Sequence, residues 1–223
     1  MWWWRALVEV VFPTLCPGCG RRADPVCPGC ARTLRAPPPA AAPAGLDGWL
    51  APLAYEGVVR ELVARVKYRH VRAAVPWLAA AVAGAVVACH ARGSFDAVTW
   101  APTTPDRRRR RGFDHAELLA RGVAGRLGLP VTATLARRPG PPQTGLPSSA
   151  RRAGPAFRPL PPVPSRLLLI DDVTTTGATL AAAARALRSS GAERIVAATA
   201  ARTPPSRPRR PFGHSQRDFS HAE

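Results

Sequence analysis

Two stretches of this sequence hold residue types whose spacing can do chemistry. In Leu167-Leu-Leu-Ile-Asp-Asp-Val-Thr-Thr-Thr-Gly-Ala-Thr-Leu180, a short apolar run leads directly into the adjacent carboxylates Asp171 and Asp172. Such a run ahead of a helical pattern reads as a buried strand, and the C-terminal edge of strands in an open α/β sheet is where ligands bind. Thr174, Thr175, Thr176 and Thr179 then supply hydroxyls, Gly177 lets the backbone come close to a ligand, and the following helix aims its N-terminus at the same spot. That combination cradles a phosphate monoester. The carboxylates would repel a phosphate but suit the hydroxyls of a sugar, so a sugar phosphate meets both requirements. The plain alternative is a strand end followed by a threonine-rich cap.

The second stretch is Cys16-Pro-Gly-Cys19 and Cys27-Pro-Gly-Cys30, two tight turns separated by seven residues. Four thiols so spaced fit tetrahedral Zn2+ better than a disulfide framework. Four thiolates leave no open coordination position, so the zinc is predicted to be structural. Cys89 stands alone in an Ala/Val-rich segment and is predicted to be a buried packing residue.

Arg107 to Arg111 lies in a predicted loop that can reach the same sheet edge, either to hold an anion or as a solvated basic surface able to contact nucleic acid. Lys67 is a weaker candidate of the same kind. His70, His90, His214 and His221 have no metal-ligand spacing; His115, in the first turn of a helix, is expected to be exposed and is not taken as a catalytic base.

The elements that must position these groups follow from periodicity. A short helix over 1–12, the cysteine cluster, completing a small N-terminal zinc-ribbon-like module over 1–35, and a Pro/Ala linker over 36–45 precede a main domain over 46–202. Within that domain, Leu50–Tyr55, Phe95–Pro102, Leu167–Ile170 and Ile195–Ala200 read as strands. Helices are predicted where Val58, Val59, Leu62, Val63 and Val66 share a face, over Ala73–Cys89, after Asp114 with Glu117 completing a capping box, and over Thr179–Ser189. This alternation predicts an α/β fold, a mainly parallel sheet flanked by helices. Residues 203–223 read as a disordered basic tail.

The balance of 32 Lys and Arg against 14 Asp and Glu leaves +18, which favours polyanionic partners such as nucleic acid, nucleotides or pyrophosphate without choosing among them. Neither a Walker-type nor a dinucleotide glycine motif is present. The apolar start is too short to span a bilayer, and Ala73–Cys89 reads better as a buried helix, so no membrane span and a cytoplasmic location are predicted.

The segment Asp171 to Thr179 resembles the binding motif of type I phosphoribosyltransferases. The resemblance implies that Asp171 and Asp172 hold the ribose 2′ and 3′ hydroxyls and favour developing positive charge on the sugar. It also implies that Val173, Thr174, Thr175, Thr176, Gly177, Ala178 and Thr179 wrap the 5-phosphate of phosphoribosyl pyrophosphate, bound with Mg2+. Together with the paired C-x-x-C start, Tyr55, Lys67-Tyr68, Arg109-Arg-Arg-Gly-Phe-Asp and Gln143, the order of features is similar to the competence protein ComF family. That implies transfer of phosphoribosyl to a nitrogen nucleophile, with Lys67, Thr103, Arg109 and Arg111 towards the pyrophosphate. It also implies a role in DNA uptake, in which single-stranded DNA or a helicase is the partner, beside the chemistry or in its place. The sequence departs from that pattern at Ala101-Pro-Thr-Thr-Pro, at Asp114-His115, and between Arg152 and Phe157, where an Asn is missing.

Overall fold

A strand buried on both faces has to be apolar on both, and Leu167–Ile170 and Ile195–Ala198 satisfy this. In the computed structural model, which describes residues 15–68, 74–138 and 155–205, they lie side by side in the middle of a parallel sheet. In chain order the elements are α1 (Pro28–Ala31), β1 (Gly48–Leu50), β2 (Leu53–Ala54), α2 (Gly57–Tyr68), α3 (Ala74–Cys89), β3 (Ala97–Trp100), α4 (Pro105–Arg111) and α5 (His115–Leu127). There follow β4 (Leu135–Arg137), β5 (Phe157–Pro159), β6 (Arg166–Thr174), α6 (Ala178–Arg188) and β7 (Arg194–Arg202). The sheet order is β1-β7-β6-β3, all parallel, with β2 also on β7; β4 and β5 form a separate antiparallel pair. Alternation along β6 sends Leu168 and Ile170 into a core shared with α2, α3 and α5, and Leu167 and Leu169 into a second core beneath α6.

The predicted α/β architecture is therefore the observed one, with local differences. The strand expected over Leu50–Tyr55 is split into β1 and β2 around Ala51-Pro52, because Pro52 has no N–H to give a ladder. β6 runs past Ile170 through both carboxylates to Thr174, paired with β7 at every position but Asp172. The arginine run is not a loop but helix α4: Thr104 accepts from the Arg107 N–H, Pro105 takes the first helical position, and Gly112 at φ 73° closes it. Asp114 caps α5 as expected, while Glu117 turns its carboxylate to Arg121 and Arg108. Contrary to expectation, α3 is buried on one face only, leaving Val87 and Cys89 exposed, as befits an outer-layer helix.

The cysteine turns dock on α2. Cys16 is fully buried in the same core as Val59 and Leu62, and the Arg65 guanidinium donates to the Leu15 carbonyl at 2.6 Å. Residues 36–45 hold no helix or strand, yet the Ala54 N–H donates to the Arg35 carbonyl at 2.8 Å, and Pro43 lies against Gly177. The predicted helix over 1–12, His70, Gln143, Arg152, His214, His221 and residues 206–223 of the basic tail lie outside the described residues.

Candidate functional site

Because β6 ends at the ligand-binding edge of the sheet, Asp171 and Asp172 project where β6 passes into the threonine loop. Asp172 faces α2, with its Oδ2 2.9 Å from Lys67 Nζ. Each carboxylate also accepts from the next backbone N–H: Asp172 N–H to Asp171 Oδ1 at 2.8 Å, Val173 N–H to Asp172 Oδ1 at 2.6 Å. Burial, reinforced by the Asp172 charge beside it, pushes the Asp171 carboxyl up to about 8, against the pull of the Asp172 N–H and of Lys67. Burial alone would lower the Lys67 ammonium, but Asp172 and Asp171 outweigh it and leave it raised.

The loop after β6 closes a small hollow of about 40 Å³ lined by Thr174, Thr175, Thr176, Gly177, Ala178 and Thr179. Gly177 caps α6 at φ 77°, and a Cβ there would fall 2.5 Å from Pro43 Cγ, so glycine is required twice over. Asp171, Val173 and Thr179 also line a larger cavity of about 310 Å³, so the two are continuous. Its opposite wall is basic: Lys67, Arg107, Arg111 and Arg137. Burial, with Arg107 beside it, lowers the Arg137 guanidinium, which stacks 5.8 Å from the Phe157 ring. Thr103 reaches the cavity too, its N–H donating to Asp114 Oδ2 at 2.7 Å; burial raises Asp114 despite the N–H groups of Thr103, Ala116 and Glu117.

Of the sequence-predicted residues, the structure thus brings Lys67, Thr103, Arg111, Asp171, Asp172 and the 173–179 loop to one edge. It does not bring Arg109, which pairs with Asp106 on the outer face of α4 and is 72% exposed. Arg107 takes that place instead, one helical turn from Arg111. His115, expected to be exposed, is buried in the cavity wall with Nε2 3.1 Å from the Val66 carbonyl oxygen, and burial lowers its pKa despite Asp172. Reading Thr104-Pro105 as a helix start would have placed Arg107 with Arg111; no spacing in the sequence signals Arg137.

The cysteines gather separately. Their four sulfurs lie within 4.8 Å of one another. Metal–sulfur bonds of about 2.3 Å give tetrahedron edges of about 3.8 Å, and Cys19 Sγ to Cys27 Sγ is 3.6 Å. Burial of Cys16 opposes its ionisation, but the N–H groups of Cys27, Cys19 and Gly18 outweigh it and bring the thiol to about 6, while its sulfur neighbours push Cys30 up to about 12. Four soft donors, two of them, Cys16 and Cys27, already disposed to ionise, fit a thiophilic metal ion.

Fold and site together define an α/β domain whose sheet edge joins an acidic pair, a threonine loop and a basic cavity wall. The phosphoribosyl transferase domain family matches residues 110–215, the part that carries α5, β6, the acidic pair and the threonine loop. Among solved structures, the chain is similar to a hypoxanthine phosphoribosyl transferase of Trypanosoma cruzi, at 13% identity and a TM-score of 0.34, covering 59% of this chain and 73% of that chain. A search of curated proteins finds no match for the chain. No described helix is long and apolar enough to cross a membrane.

Proposed function

We propose that the chain binds phosphoribosyl pyrophosphate and transfers its phosphoribosyl group to a nitrogen acceptor. The carrying observation is the continuity of the 40 Å³ threonine hollow, the acidic pair and the basic 310 Å³ cavity through Asp171, which places a phosphate cradle, hydroxyl acceptors and a cationic wall in the order such a ligand needs. The 5-phosphate sits in the hollow on the N-H groups at the start of α6. Asp171 and Asp172 hold the ribose hydroxyls and stabilise positive charge growing on the sugar. Lys67, Arg107, Arg111 and Arg137 receive the pyrophosphate as it leaves. The carboxylate oxygens also suit Mg2+, whose charge would neutralise the leaving group. Zn2+ on Cys16, Cys19, Cys27 and Cys30 is structural.

The finer placement is with the ComF family, cytoplasmic, in DNA uptake. A second reading, favoured by Arg108 and Arg109 exposed on the outer face of α4, is a single-stranded DNA or helicase accessory role. Calorimetric titration of Mg2+–phosphoribosyl pyrophosphate into wild type and an Asp171→Asn, Asp172→Asn double variant tests the first: binding to the wild type and its loss in the variant are expected, and no binding to either overturns it. For the second, affinity for single-stranded DNA should fall steeply with salt; a flat slope removes DNA as the partner.

A further inference from the structure

Four buried side-chain atoms have no hydrogen-bond partner among the described residues: Trp49 Nε1, Thr174 Oγ1, Thr199 Oγ1 and Thr203 Oγ1. They belong to one region. Thr174 is paired with Arg202 across β6 and β7, Thr203 N–H donates to the Thr174 carbonyl at 2.9 Å, Thr199 is three residues before Arg202, and Trp49 lies under the Arg202 guanidinium, 5.2 Å from its centre. Arg202 itself is only 8% exposed. Among the described residues, its guanidinium has no ion-pair partner and no hydrogen-bond acceptor, only the Trp49 ring. Burying a cation without an acceptor is costly, and Trp N–H and guanidinium can only donate. The three threonine hydroxyls can accept as well as donate, so what the region lacks is a counter-ion for Arg202, which an anion supplies.

The phosphate hollow has the complementary deficit. Thr174 is 4% exposed and lines it, as does Asp171, but no Lys or Arg does. A dianion placed there would be met by hydroxyls and N–H groups alone, with no cation in the lining to balance its second charge. Resting on the phosphate-binding reading above, we propose that Arg202 is the buried positioning charge of this hollow, acting across Thr174 to favour a dianionic phosphate monoester over a singly charged group. Neighbouring strands lie about 4.8 Å apart, so the charge acts through protein rather than through water.

The test compares Arg202→Met, Arg202→Gln and Arg202→Lys with wild type, using ribose 5-phosphate and ribose 5-sulfate in calorimetry and thermal unfolding without ligand. Arg202→Met is expected to unfold at or above the wild-type temperature, because an unsatisfied buried charge has gone. It should bind ribose 5-phosphate about 10- to 100-fold more weakly, the range of a charge–charge interaction across several ångströms of protein. The sulfate should lose less, so the phosphate preference narrows, and Arg202→Lys should restore most of it. Wild-type affinity in Arg202→Met, an unchanged phosphate preference, or a failure of both Met and Gln variants to fold each overturns the proposal, the last because the charge is then structural. If wild type itself binds no ribose 5-phosphate, the phosphate-binding reading fails, and this inference with it; wild-type binding with an indifferent Arg202 defeats this inference alone.

Discussion

Asp171→Asn isolates the most perturbed carboxyl at the site. In the unfolded chain Asp171 ionises near the usual carboxylate value, about 4; in the fold, burial and Asp172 hold its proton up to about 8. Between those limits the folded protein binds one more proton than the unfolded chain, so stability from this group is present at low pH and is lost as pH rises through the window. One full proton of linkage is worth about 1.4 kcal/mol per pH unit, which gives about 3 kcal/mol between pH 5 and pH 7.5. Asp171 faces an open cavity, and water there screens the Asp172 contribution, so about half of that is expected. Asn copies the neutral carboxyl in shape and cannot ionise. Urea unfolding of both proteins should show the variant gaining on the wild type by about 1–2 kcal/mol between pH 5 and pH 7.5. A gap that stays flat with pH, or one that widens towards pH 5, refutes the assignment of the proton to Asp171.

Gly177→Ala should destabilise the protein by about 1–3 kcal/mol, since the position has φ 77° and its Cβ would meet Pro43; a second change, Pro43→Gly, should recover the part due to that contact, and denaturant midpoints of the three variants measure it. Metal analysis should find one zinc per chain, abolished by Cys27→Ser. Chelation should lower the thermal midpoint because Cys16 belongs to the core beside α2. An unchanged midpoint after complete metal loss would count against a structural ion.

The parallel sheet was legible because β6 and β7 are apolar on both faces, and the site's acidic and phosphate halves because strand, carboxylates, threonines and glycine are contiguous between Leu167 and Leu180. What was not legible came from groups joined only by folding. Arg137 enters the cavity from β4, a short strand whose residues carry no alternating pattern, held by Thr134 Oγ1 against Thr99 Oγ1 at 2.6 Å. His115 was misplaced because a residue at a helix start is usually solvated, whereas here α5 begins beneath α2. α4 was missed although its Thr-Pro start and Gly stop were in view, since five successive arginines carry no amphipathic signal.

The position of α2 explains why the cysteine turns matter to a site that none of their sulfurs reaches. α2 packs on α3 and on the Cys16 turn, with Arg65 tied to Leu15 and Gly18 leaving room for Val58 and Cys30. Two residues after Arg65 the same helix delivers Lys67 to Asp172, and one residue before Lys67 it offers the Val66 carbonyl to His115. The Lys67 ammonium compensates the Asp172 charge while Asp171 keeps its proton, so the helix that the cysteine turns hold in place also sets the electrostatics of the acidic edge.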